Sequence, residues 1–165
     1  MSNASVPELA GVHHVKLPVR ELGRSRDWYA SRLGFELAVE FVEGGRLMGY
    51  VLRHPRGGPH LGLRLDPARA EAAAGFDYFA IGVRDKAALD TLAARLTELG
   101  ETHAGVHRAS AGWVLPLLHD PDGHEIRFYT VDLHTELGTD GVTTIHDPRE
   151  SAERQEQGSP AHLPL

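Results

Sequence analysis

The chain has 165 residues, 41% of them hydrophobic, and no cysteine, so it can bury one sizeable core and excludes disulfides and thiolate metal sites. Its net charge of −6 sits mostly at one end, where residues 131–165 hold seven acids (Asp132, Glu136, Asp140, Asp147, Glu150, Glu153 and Glu156) against Arg149 and Arg154. No Lys/Arg cluster is interleaved with aromatics, which argues against nucleic acid, and no apolar run of roughly 18 residues or basic-flanked leader is present, so no membrane span is expected and a cytoplasmic protein is.

From His14 the run "HVKLPV" alternates as a strand does, and Glu21 stands where a helix cap is expected. The helix that follows carries Leu22, Trp28, Tyr29 and Leu33 on its apolar side and closes at Gly34. Three strand-like runs come next, "FELAVEFVE", "RLMGYVLRH" and "HLGLRLD". At an offset of 64 residues the pattern begins again with "YFAIGV" from Tyr78, a cap at Asp85, and a helix with the stripe Leu89, Leu92, Ala93, Leu96 and Leu99 before Gly100. Three further runs follow, "ETHAGVHRA", "WVLPLLHD" and "HEIRFYTV", the last two joined by Asp120-Pro121-Asp122-Gly123, which suits a type I hairpin turn. Residues 131–165 read as an acidic, partly disordered tail.

The fold class is therefore α+β: one domain over residues 5–130 built of two βαβββ modules, 11–66 and 75–130. A four-stranded sheet covered on one face by a helix must meet something on its other face. In a duplicated chain the expected arrangement is a pair of half-barrels with a cavity between them.

"HHVKLPVRELGRSRDWY" is close to the opening His-Val-x-Leu-x-Val-x-Asp-Leu-x-x-Ser-x-x-Phe-Tyr, and "DPDGHEIRFY" to the closing Asp-Pro-Asp-Gly-Asn-x-x-Glu, of one family. Over residues 11–130 the chain resembles the glyoxalase, bleomycin-resistance and extradiol dioxygenase superfamily. Metal-dependent members hold one divalent ion with side chains from the first and last strands of each module. The resemblance puts those positions here at His14 and Tyr78, at Arg127 where the motif has its glutamate, and in the first module among His60, Gly62 and Arg64. A permanent cation repels a metal and cannot shed its charge. No cofactor is expected, the alternative being one divalent ion held by His14 and His60.

Strand alternation sets Glu125, Arg127 and Tyr129 on one face and Ile126 and Phe128 on the other. With Lys16, Arg64, His60, His14 and Tyr78 these form the candidate ligand-binding face, and Trp113 is a candidate stacking platform. The three cations suit a small organic molecule bearing a carbonyl or carboxylate. Simpler roles stand beside these: His14 as an inherited hydrogen-bonding residue, Glu125 and Arg127 as an ion pair with each other, Trp113 as a packing residue. His119 and His124 are expected to be exposed, His13 and His14 to face opposite ways, and Trp28 and Tyr29 to be core or packing residues. The leading reading is metal-independent binding of sequestration or resistance type. The alternatives are a glyoxalase- or dioxygenase-like metalloenzyme, or a metal-free lyase or isomerase with His14 or Tyr78 as acid or base. Exposed strand edges together with Trp28 and Tyr29 favour a homodimer.

Overall fold

The computed structural model of the chain describes residues 8–109 and 112–131. The acidic segment from residue 132 lies outside the described residues. Two compact units meet at Ala74 and Gly75, so the 11–66 and 75–130 modules fall one in each.

The first unit runs β1 (His14–Val19), α1 (Leu22–Leu33), β2 (Glu36–Glu43), β3 (Arg46–Arg53), β4 (His60–Leu65) and α2 (Pro67–Ala73). Its sheet has the order β1-β4-β3-β2, with β1 and β4 parallel and the other pairs antiparallel. Alternation works as the sequence predicts. Leu17, Val19, Leu52, Leu61 and Leu63 are buried on one face with Trp28 and Tyr29 of α1. Their pairing partners' neighbours, His14, Lys16, Gly62 and Arg64, take the opposite face. The rings of Trp28, Tyr29 and Phe35 pack edge to face at 5.0 and 6.0 Å. Both α1 aromatics are therefore core residues, and the contribution to association expected of them is withdrawn.

The second unit repeats the order with β5 (Ala80–Val83), α3 (Lys86–Glu98), β6 (His107–Ala109), β7 (Gly112–His119) and β8 (Glu125–Thr130), arranged β5-β8-β7-β6. Leu89 and Leu96 of α3 are fully buried, as are Leu115, Leu118 and Ile126, and Phe128 is nearly so. Leu99, counted in the apolar stripe, ends up exposed beyond the helix. The run expected as a strand from Glu101 is strand only from His107. The His103 imidazole accepts from the Gly105 amide and contacts the Ala93 carbonyl, so side-chain bonds take over from a ladder there.

The two caps differ. Asp85 accepts from the Ala88 amide at 2.8 Å, whereas Glu21, in the equivalent place, makes no side-chain cap bond. The longer glutamate is a poor cap because its carboxylate overreaches the first turn. At the other end of α1, Gly34 adopts φ +76° and its amide returns to the Ala30 carbonyl, the left-handed closure that glycine allows. The short helix α2, which the sequence periodicity does not announce, is capped by Asp66, whose carboxylate accepts from the Arg69 amide with Pro67 in the first turn. Among the described residues no helix is long and apolar enough to cross a membrane.

Candidate functional site

In the second unit the hairpin between β7 and β8 sets the chemistry. The Gly123 amide bonds the Asp120 carbonyl at 3.0 Å, closing the expected turn, and the buried Asp120 carboxylate accepts from the amides of Asp122 and His124. This local wrapping draws His124 inward. It is fully buried with its ring 5.9 Å from that of Tyr78, which corrects the exposure expected of it, while His119 is exposed.

Residues 125, 127 and 129 share a face, but they are not alike. Glu125 is fully buried, and its Oε1 accepts from the Leu117 amide at 3.1 Å and from Arg127 Nε at 2.8 Å. Leu117 reaches that position because β7 carries a bulge between Leu115 and Leu118, where Leu117 adopts φ +62°. Such a conformation costs a non-glycine residue on the order of 1–3 kcal/mol and persists only where surrounding bonds enforce it. Arg127 Nε also lies 3.0 Å from Asp77 Oδ2. Burial works against the guanidinium charge. Hydrogen bonds to Glu125 and Tyr129, with the charges of Glu125 and Asp77, outweigh it and push the pKa further above the ordinary arginine value. Arg127 thus forms an ion pair with Glu125, the simpler of its two expected roles.

The chain entering β5 is tied to the same hairpin. The Gly75 amide donates to the Gly123 carbonyl and the Glu125 amide to the Phe76 carbonyl. Phe76 and Tyr78 flank Asp77, are 57% and 47% exposed, and stand edge to face at 4.9 Å. Neither Phe76 nor Asp77 was picked out from the sequence, where only their adjacency to Tyr78 could have flagged them. Trp113 does not join this group. Paired opposite Arg108 and in step with Leu115, it lies on the helix side with the Lys86 ammonium 4.8 Å above its ring.

The first unit carries the other half of the candidates. Arg64 grips Glu43 through both terminal nitrogens at 2.6 and 2.8 Å. That hydrogen bonding, with the charges of Arg64 and Lys16, holds the Glu43 carboxyl below the usual range. Arg64 is therefore a paired cation as well. His13 precedes β1, so strand alternation does not govern it: its Nδ1 is 2.9 Å from that of His14, and its ring is 6.4 Å from that of His60. The two neighbouring imidazoles meet, contrary to the expectation of opposite faces.

Strand register resolves which residues of the first unit correspond to those of the second. Tyr78 is two residues before Ala80, which pairs with Arg127, just as His14, which pairs with His60, is two before Lys16, which pairs with Gly62. Gly62 therefore stands where Arg127 stands, and His60 where Glu125 does. The first- and last-strand positions read His14 and Gly62 in one unit, Tyr78 and Arg127 in the other. A glycine has no donor and an arginine has the wrong charge, so this set does not fit a divalent ion. Among the described residues no group of three or more His, Asp or Glu is arranged to hold one.

Residues 11–128 match the family model of the Glyoxalase/Bleomycin resistance protein/Dioxygenase superfamily. A solved glyoxylase/bleomycin resistance protein/dioxygenase domain from Frankia sp. EAN1pec is 25% identical, with 74% of this chain and 98% of that one covered and a TM-score of 0.60. The antibiotic-binding protein TnmS3 from Streptomyces sp. CB03234 is 20% identical over 76% of this chain and 98% of its own, with a TM-score of 0.62. A fosfomycin resistance protein from Listeria monocytogenes, solved with Mn(II) and a dihydroxypropylphosphonic acid, is 14% identical over 74% and 90%, with a TM-score of 0.58. No curated protein sequence matches the chain. With two βαβββ units of like topology and a family match over most of its length, the chain belongs to the glyoxalase/bleomycin resistance protein/dioxygenase superfamily.

Proposed function

We propose that the protein binds a small organic molecule without a metal, in a sequestration or resistance role, and that Arg127 hydrogen-bonds a carbonyl or carboxylate oxygen of that molecule. The observation that carries the reading is the state of Arg127: at the position where the family motif has a glutamate, a guanidinium is anchored through Nε by Glu125 and Asp77. Both carboxylates are met at Nε, so the terminal nitrogens, which also serve the hydrogen bond to Tyr129, are the part of the guanidinium that a ligand would meet. An arginine fixed in this way loses little side-chain freedom on binding. That an antibiotic-binding protein and a resistance protein share the fold makes such a role compatible with the architecture.

A second reading, a metalloenzyme using His14 and His60, has the proximity of the His13, His14 and His60 rings in its favour. The donor set at the other family positions speaks against it. Elemental analysis of protein purified without chelator separates the two, together with a thermal-shift screen of small carboxylates, phosphates, 1,2-dicarbonyls and aromatic ketones on the wild type and Arg127→Lys. We expect substoichiometric metal and hits that weaken in Arg127→Lys. Near one zinc, manganese, iron or nickel per chain, lost in His14→Ala, would overturn the proposal. We further infer a homodimer, since every residue of the edge strand β2 is exposed, Phe41 and Val42 among them.

A further inference from the structure

The surroundings of Arg127 say more about its ligand than that it carries an acceptor oxygen. One guanidinium meets two carboxylates, so the cluster of Asp77, Glu125 and Arg127 has no positive charge left over. Glu125 is held inside the protein, where its field is screened least. An incoming carboxylate or phosphate would meet one matched cation and a second acid. A neutral carbonyl oxygen can accept from the terminal nitrogens without that repulsion.

Beside this cluster stand two aromatic rings, each about half exposed among the described residues. Phe76 and Tyr78 are the residues on either side of Asp77, and Phe76 is joined to Glu125 through the backbone bond from the Glu125 amide. Large aromatics exposed to about half of their surface, standing 4.9 Å apart, are costly to leave in water and offer edges and faces to a flat ring. The Tyr78 ring also meets the buried His124 ring edge to face at 5.9 Å. Farther along the same face Ala80, the partner of Arg127, contributes little bulk, and the Val131 side chain lies over Gly82 and bounds the site there.

We propose that this site takes a planar aromatic molecule with an uncharged carbonyl, such as a quinone or aryl ketone. Its ring lies against Phe76 and Tyr78 and its oxygen accepts from Arg127. This rests on the binding role of Arg127 proposed above and adds the ligand class. The association is noncovalent, and with no cysteine in the chain a quinone meets no thiol to alkylate.

Four probes separate the features: 2-methyl-1,4-naphthoquinone has rings and neutral carbonyls, 1,4-cyclohexanedione has carbonyls without aromatic rings, 2-methylnaphthalene has rings without oxygen, and 1-naphthoate has rings with a carboxylate. Each is titrated calorimetrically into the full chain and into Phe76→Ala, Tyr78→Ala and Arg127→Lys. We expect the naphthoquinone to bind at least tenfold more tightly than the other three. Each aromatic truncation should cost it roughly 2- to 10-fold. Arg127→Lys should weaken it while leaving 2-methylnaphthalene unchanged. Phe76 is exposed and bonds through its backbone, so Phe76→Ala should keep the wild-type melting temperature. Tighter binding of 1-naphthoate, or naphthoquinone affinity indifferent to both aromatic truncations, overturns the ligand class. If aliphatic dicarbonyls or carboxylates from the broader screen bind through Arg127 and the naphthoquinone does not, the aromatic class falls while the binding role stands. If nothing binds in either experiment, both fall.

Discussion

Arg127 shows how much a residue's role depends on partners its neighbours in sequence do not reveal. On the strand "HEIRFYT" it reads as a cation offered to a ligand, and its replacement by alanine would then leave the fold untouched. In the structure it neutralises a carboxylate with no access to water, so that expectation is reversed. Arg127→Ala should destabilise the protein by roughly 2–4 kcal/mol, toward the lower end for a broken buried pair because the guanidinium keeps 21% of its surface. Glu125→Gln removes the charge but keeps an acceptor for the Leu117 amide, so it should cost less alone and should rescue part of the Arg127→Ala loss. Chemical denaturation of the two single variants and the double variant gives the coupling. A value above about 1 kcal/mol marks a buried pair, and one inside the 0.2–1 kcal/mol of exposed pairs would mean that Arg127 is not needed to hold Glu125.

At the scale of elements, hydrophobic period made the fold legible and local chemistry decided how each element ends. The repeat at 64 residues predicted both sheets and both long helices because a half-buried sheet and its covering helix leave strong periods of two and 3.6. What it could not carry was register. Whether His60, Gly62 or Arg64 matches Arg127 depends on where β4 pairs with β1, and alternation is unchanged by a slip of two residues. The bulge at Leu117 was equally hidden, since "WVLPLLHD" has no glycine to announce a positive φ there. Capping was half legible: two acids in equivalent places were read alike, yet only the shorter one caps. Asp85→Ala should therefore lower stability by about 1 kcal/mol and Glu21→Ala by almost nothing. Equal losses in paired thermal or urea melts would show that the α1 cap forms in solution after all.

For the molecule as a whole, the repeated unit leaves a sheet face and an edge that its own helix does not cover. In the first unit β2 is the edge of the sheet, and Leu37, Val39, Phe41 and Val42 are each more than 40% exposed. An edge strand that exposes four large apolar side chains and has no lysine or proline is a liability in a monomer, because it presents unpaired backbone groups beside a hydrophobic surface. Of its three glutamates, Glu36 and Glu43 are neutralised by Arg53 and Arg64, which leaves Glu40 as the charge that a second copy has to accommodate. Association with a second copy removes the exposure and closes on itself if it is two-fold symmetric. Multi-angle light scattering should therefore give about twice the 18.0 kDa chain mass. Leu37→Lys with Val42→Lys should shift the species toward monomer by more than tenfold in dissociation constant, with little change in the far-ultraviolet spectrum, since neither side chain is buried in the core. A wild-type monomer at high micromolar concentration would exclude the dimer. A dimer unchanged in the double variant would move the interface elsewhere and leave β2 to be covered within the chain.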